Sequence, residues 1–278
     1  MTPCAGAGNE RLLSHYVMGH RNLRGTKIMY GYRARIGYCS PPFVTEDFCY
    51  EFYKMAPRGV TLMVTTLSIK AHGVTVATDD VRSTKEQIDE SHAKSLEAAK
   101  YMARSGADVV VLGGNPVNQS RGVENLDAIC ADLSREVGTK VITSTHSQIK
   151  ALKALGALRV ATVHPYTAVR HEEHERSMRN MGFLSSGVIG CGFTVMDLGR
   201  IPGELALTLA RQVKQANPDT DTIHPSCAHW ATAHAIDQIE SELMVNVMTS
   251  QQAIFWNAIR TAGINDRVEG YGRLLREF

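Results

Sequence analysis

The chain has 278 residues, 44% of them hydrophobic, enough to bury one large core or two modest ones. Its 30 basic and 28 acidic residues leave a formal charge of +2, which gives no electrostatic case for nucleic acid or an acidic membrane surface. No apolar run approaches the roughly 20 residues of a membrane span, and the opening Met1-Thr-Pro-Cys-Ala-Gly lacks a basic-then-apolar secretion signal, so a cytoplasmic protein with free thiols is expected.

Residues 1–33 form a polar lead containing Arg and Gly. Tyr16, Met18, Met29, Tyr30 and Tyr32 give it apolar contacts, so it reads as an arm packing on a partner subunit in a homo-oligomer, with a mobile tail as the alternative. From Arg35 onward, short β-branched apolar runs alternate with longer helical patterns. One such pattern runs from Lys85 to Arg104, where Ile88, Leu96, Ala99 and Met102 recur near a 3.6-residue period. This alternation predicts an α/β protein with parallel sheets flanked by helices, whose ligands bind beyond the carboxyl ends of the strands.

Three short patterns recur in the same order in each half. Arg35-Ile-Gly-Tyr-Cys-Ser-Pro-Pro42 is answered by Arg159-Val-Ala-Thr-Val-His-Pro-Tyr166, and Val109-Val-Val-Leu-Gly-Gly-Asn115 by Thr222-Ile-His-Pro-Ser-Cys-Ala228. Val141-Ile-Thr-Ser144 is answered by Val247-Met-Thr-Ser250, and each is followed by a helical run. The repeat predicts two pseudo-symmetric Rossmann-like domains, residues 34–147 plus 251–278 and residues 148–250. The active site is expected in the cleft between them, near the pseudo-twofold axis. It also lays Gly114 over Cys227.

Gly37-Tyr-Cys-Ser-Pro-Pro42, Gly114-Asn-Pro-Val-Asn-Gln-Ser-Arg-Gly122, His164-Pro-Tyr166 and Ser226-Cys227 resemble the aspartate/glutamate racemase superfamily. The resemblance covers Arg35 to Gly263 and is nearest to the arylmalonate decarboxylase / maleate isomerase branch, more closely to its decarboxylases, in which a glycine in the first half faces a single cysteine in the second. It implies a cofactor-independent lyase acting on a small dicarboxylic acid of the malonate type, through an enediolate that the one cysteine protonates. Carried over by position, Asn115, Ala228 and Tyr166 would hold the enediolate beside Gly114, with Pro41 and Pro42 shaping the wall. The chain departs from that branch at Asn115-Pro116, where hydroxyl residues are expected and proline has no N–H to donate. Asn118, Ser120, Thr143 and Ser144 are substitutes for those donors.

The chemistry supports the same division independently. Racemisation needs a proton removed from one face of a carbon and returned to the other, whereas decarboxylation itself generates the enediolate and needs a single acid. Cys227 is expected at a helix N-terminus, where the helix dipole favours thiolate and an apolar pocket would oppose it. His229 either orients a substrate oxygen and tunes Cys227 or points away from the cleft. Tyr166 offers its hydroxyl or is a core aromatic, and Cys227 itself would otherwise be a small buried apolar residue. Other readings stay open: a nucleophilic cysteine giving cis-trans isomerisation or hydrolysis of a cyclic amide or lactone, or a noncatalytic two-lobed binder of small acids.

Neither a metal nor a cofactor is expected. His171-Glu-Glu-His-Glu175 misses HExxH by one position and reads as a solvated helix face; His224, Cys227, His229 and His234 fit no zinc spacing; and the Gly113–Gly122 segment is not GxGxxG.

Overall fold

The computed structural model describes residues 30–40, 46–67, 85–114, 118, 122–194 and 197–278. The arm expected over 1–33, apart from its last four residues, lies outside this set, as do Pro41, Pro42, Asn115, Pro116 and Ser120.

The first half contains β1 (Ala34–Ser40), α1 (Glu46–Met55), β2 (Val60–Thr66), α2 (Lys85–Arg104), β3 (Val109–Leu112), α3 (Leu126–Val137) and β4 (Lys140–Thr143). The helix α4 (Ser144–Leu155) leads to β5 (Arg159–Tyr166), α5 (His171–Asn180), β6 (Leu184–Phe193), α6 (Leu205–Ala216), β7 (Thr222–Pro225), α7 (Ile236–Leu243) and β8 (Asn246–Val247). Helices α8 (Ser250–Thr261) and α9 (Gly272–Glu277) close the chain. Helix α2 has the span its periodicity predicts.

Two four-stranded parallel sheets result, ordered β2-β1-β3-β4 and β6-β5-β7-β8, so the two halves share one topology. Val109-Val-Val-Leu112 is buried at every position, as a strand covered on both faces must be. The pairing reproduces the sequence repeat residue by residue. Ile36 faces Val109 as Val160 faces Thr222, and Val141 pairs with Val110 as Val247 pairs with Ile223. Polar contacts repeat too: the Arg35 amide donates to Asp108 at 3.0 Å, and the Arg159 amide to Asp221 at 2.7 Å.

Helices α4 and α8 pack against each other, and α8 also lies on β1, β3 and β4 of the first sheet. Each begins at a Thr-Ser pair, with Thr143 accepting the His146 amide and Thr249 the Gln252 amide, because a threonine oxygen satisfies an N–H that has no partner in the first turn. The Asn257 amide donates to Ser147 Oγ across the pair at 3.1 Å. Helix α1 sets Phe48 and Phe52 edge-on against Phe255 of α8, at ring separations of 4.9 and 5.0 Å. It also ties the two halves together, since the buried Glu51 carboxylate accepts the Ala233 amide at 2.9 Å. Among the described residues no helix is long and apolar enough to cross a membrane.

Candidate active site

Both β3 and β7 end in a positive-φ residue two positions beyond the last paired one: Gly114 at φ 86° and Cys227 at φ 140°. The preceding amides are held alike, Gly113 donating to Cys39 O at 2.7 Å and Ser226 to Val163 O at 2.8 Å. Glycine takes such a conformation freely, while a residue with a side chain is strained there. Cys227 is held in it by its own amide, which donates to Ser250 Oγ at the start of α8, 3.3 Å away.

Cys227 does not begin a helix. A turn follows it, and α7 starts only at Ile236. The positive φ at Cys227 breaks the helical path, and Trp230 is instead buried with its indole N–H on Pro202 O at 3.4 Å. The helix dipole expected to favour thiolate is therefore missing. Burial dominates and pushes the thiol above its ordinary value, against smaller opposing effects from Tyr166, the His229 amide and Arg170. Cys227 is thus a thiol at neutral pH, the form a proton donor needs.

Two groups face the sulfur. The Tyr166 hydroxyl lies 3.3 Å from Sγ, and the His229 amide donates to Sγ at 3.4 Å. Burial, and secondarily the neighbouring sulfur, holds the Tyr166 phenol well above its usual range, so it stays a hydroxyl. The His229 side chain reaches across to the first half, with Nε2 3.3 Å from Ser40 Oγ at the end of β1. Ser40 also bonds the buried Tyr38 hydroxyl, and the His229 ring lies 5.7 Å from Phe48. That apolar setting lowers His229 to about 4, so it is neutral and fixes the turn that carries Ala228.

The remaining expected residues divide. Gly114 and Ala228 are half-buried beside the strand ends. Asn118 and Ser144 are buried and turned to the backbone, donating to Leu112 O at 3.0 and 3.4 Å respectively.

Sequence reading missed a polar layer under Tyr166. The 171–175 segment is not a solvated face: His171 and His174, one turn apart, lie against His164 at ring separations of 5.0 and 4.2 Å, the latter stacked. His174 Nδ1 is 3.4 Å from Ser226 Oγ. Because the Tyr166 amide donates to His164 Nδ1 at 3.2 Å, the proton sits on Nε2, which is buried with no partner among the described residues. Burial lowers His164 to about 3 and His224 to about 4, and takes His174 well below its ordinary value. Arg170 adds a cation, its guanidinium 5.0 Å from the Tyr166 ring centre. The spacing of His171 and His174 on one helix face, opposite a strand histidine, was the available signal.

Cys130 is a second cysteine near a histidine: its Sγ lies 3.5 Å from His146 Nδ1, and His146 Nε2 lies 2.8 Å from Asp127. Burial raises that thiol to about 11, and it is 5% exposed, so it does not act as a nucleophile.

Two like α/β halves whose matching strand ends carry a cysteine and a glycine define a protein of the aspartate/glutamate racemase type. Residues 54–275 match the arylmalonate decarboxylase family, and the chain belongs to it. It is 29% identical over 196 residues to the arylmalonate decarboxylase of Bordetella bronchiseptica, spanning 70% of this chain and 82% of that protein. It is 24% identical over 208 residues to the maleate isomerase of Nocardia farcinica (strain IFM 10152), spanning 73% and 80%. A crystal structure of arylmalonate decarboxylase superposes with TM-score 0.69 at 26% identity, covering 87% of this chain and 98% of that one.

Proposed function

We propose that the protein is a cofactor-independent decarboxylase of a malonate-type dicarboxylic acid. The observation that carries this reading is Cys227, a half-buried thiol 3.3 Å from a tyrosine hydroxyl, whose counterpart at the end of the matching strand is Gly114, without a side chain to serve a second face. Cleavage of the bond to the departing carboxylate leaves its electron pair on the central carbon, delocalised into the remaining carboxylate as an enediolate, and CO2 departs. The Ala228 amide and the Tyr166 hydroxyl stabilise that charge. The Cys227 S–H bond then breaks, its proton going to carbon, and the thiolate is stabilised by the His229 amide until water returns a proton.

Tyr166→Phe tests the hydroxyl directly. It should lower kcat on the order of 100-fold, the usual loss for one oxyanion donor, with KM changed little. An unchanged kcat would leave Tyr166 a packing residue.

A second reading, cis-trans isomerisation of a maleate-like diacid through covalent attack by Cys227, is favoured by the maleate isomerase relative and by the same Tyr166–Cys227 pair. Turnover in D2O separates the two. The decarboxylase releases CO2 from a substituted malonate and gives a singly deuterated acid of one hand. The isomerase converts maleate to fumarate and leaves malonates intact.

A further inference from the structure

Arg170 has no role in that chemistry, yet its position needs a reason. It follows Tyr166 by four residues, in the short 3-10 turn Ala168–Arg170 that connects β5 to α5. Its side chain is only 17% exposed, and its guanidinium lies over the ring whose hydroxyl meets Cys227. The positive charge is felt at Cys227, Tyr166, His164 and His174 alike, so it stands within the same small volume as the reacting group.

Among the described residues its compensation is poor. Glu173 Oε2 lies 3.2 Å from Nε, but that carboxylate is 41% exposed and lies off the N–H direction, so the buried Nε makes no hydrogen bond. Among the described residues, the His164 and His174 imidazoles beside it are held neutral by burial and supply no negative charge. A largely desolvated guanidinium with one half-solvated carboxylate is costly, and a second carboxylate taken in the fork geometry would offset that cost. The wall made by β5 and the start of α5 is polar as well: His164 Nε2, His171 Nε2, Thr162 Oγ1 and Thr167 Oγ1 are all buried with no partner among the described residues. Such a wall suits an anionic or hydrogen-bonding group better than an apolar one.

We propose that Arg170 binds a carboxylate at the far end of the substrate's side group, so that the substrate is a malonate bearing a third acidic function. The proposal rests on the malonate reading above and adds the chemistry of the side group.

Binding and turnover test the two claims separately. Pentanoate and glutarate, which differ by one terminal carboxylate, stand for the products of propylmalonate and 2-carboxyethylmalonate. By calorimetry the wild type should bind glutarate about 10-fold more tightly than pentanoate, and Arg170→Gln should remove most of that difference while changing pentanoate by less than about twofold. Arg170→Lys should restore part of it, since a point charge remains without the fork. High salt should shrink the wild-type preference.

Lack of a glutarate preference in the wild type, or its persistence in Arg170→Gln, would overturn the proposal. Equal loss for both acids would also overturn it, because Arg170 would then hold the carboxylate common to both. If Arg170→Gln does not fold, the lysine variant and the salt dependence decide: a preference unchanged by both is not Arg170's. Decarboxylation of propylmalonate and 2-carboxyethylmalonate is followed independently. A glutarate preference that depends on Arg170, with neither malonate consumed, would sink the decarboxylase reading and leave the anion site standing.

Discussion

Replacing Cys227 with alanine is expected to lower decarboxylation by on the order of 1000-fold while leaving the fold in place. The size follows from what a positioned proton donor contributes, roughly 100- to 10,000-fold, and from the absence of a substitute. The Tyr166 hydroxyl is 3.3 Å from the sulfur, but burial holds its proton even more firmly than an ordinary phenol does. His229 presents an amide to the sulfur, and its ring is neutral, engaged with Ser40 and surrounded by aromatic groups. Cys227→Ser keeps a hydroxyl but offers a much weaker acid, so its activity should lie near the alanine value. Residual product from either variant should lose handedness, since protonation would come from water. The check is release of CO2 together with chiral analysis of the acid formed in D2O. Wild-type turnover by Cys227→Ala would end the single-acid mechanism.

The second large effect is a loss of stability in mild acid. His164, His224 and His229 have folded-state values of about 3, 4 and 4, below the ordinary 6.5. A base whose folded value is depressed binds more protons when unfolded. Its contribution is therefore complete above about pH 6.5 and is lost as pH falls toward the folded value. At pH 5 each of the three costs about 2 kcal/mol relative to pH 7.5, about 6 kcal/mol together.

Glu51 acts in the opposite sense. Burial raises it to about 7, so its proton is bound in the folded state first, and acidification over the same interval returns about 2 kcal/mol. The histidines win by about 4 kcal/mol, and His174, also held low by burial, adds to their side. For a chain of this size that is a fall in Tm on the order of 10 °C between pH 7.5 and 5. A Tm flat across that interval would show that these imidazoles are not buried neutral.

Much of this is legible in the sequence alone. The repeat predicted the two like sheets, because equal apolar runs stopping at equal positions can only pair in equal ways. It also set Gly114 against Cys227, which the backbone angles bear out. What failed were readings in which composition stood in for direction. His171-Glu-Glu-His-Glu175 is strongly polar and so looked solvated, yet two histidines one turn apart fall on the face that meets His164, while Glu172 stays outside. Ser226-Cys-Ala-His reads as a helix start because an extended run gives way there to a helical pattern. The dihedral at Cys227 that forbids it has no signature in a single sequence. Nor had the reach of His229 to Ser40, which depends on how the halves are set together.

The φ of 140° at Cys227 carries a further implication for how such a chain changes over time. The conformation costs on the order of 1–3 kcal/mol for any residue with a side chain and almost nothing for glycine. Mutation alone would therefore drift this position toward glycine, the residue already present at the matching position, Gly114, which also takes a positive φ, of 86°. A cysteine that persists where glycine would be more stable is maintained by what it does, and the two halves of one chain record both outcomes of that trade between stability and activity.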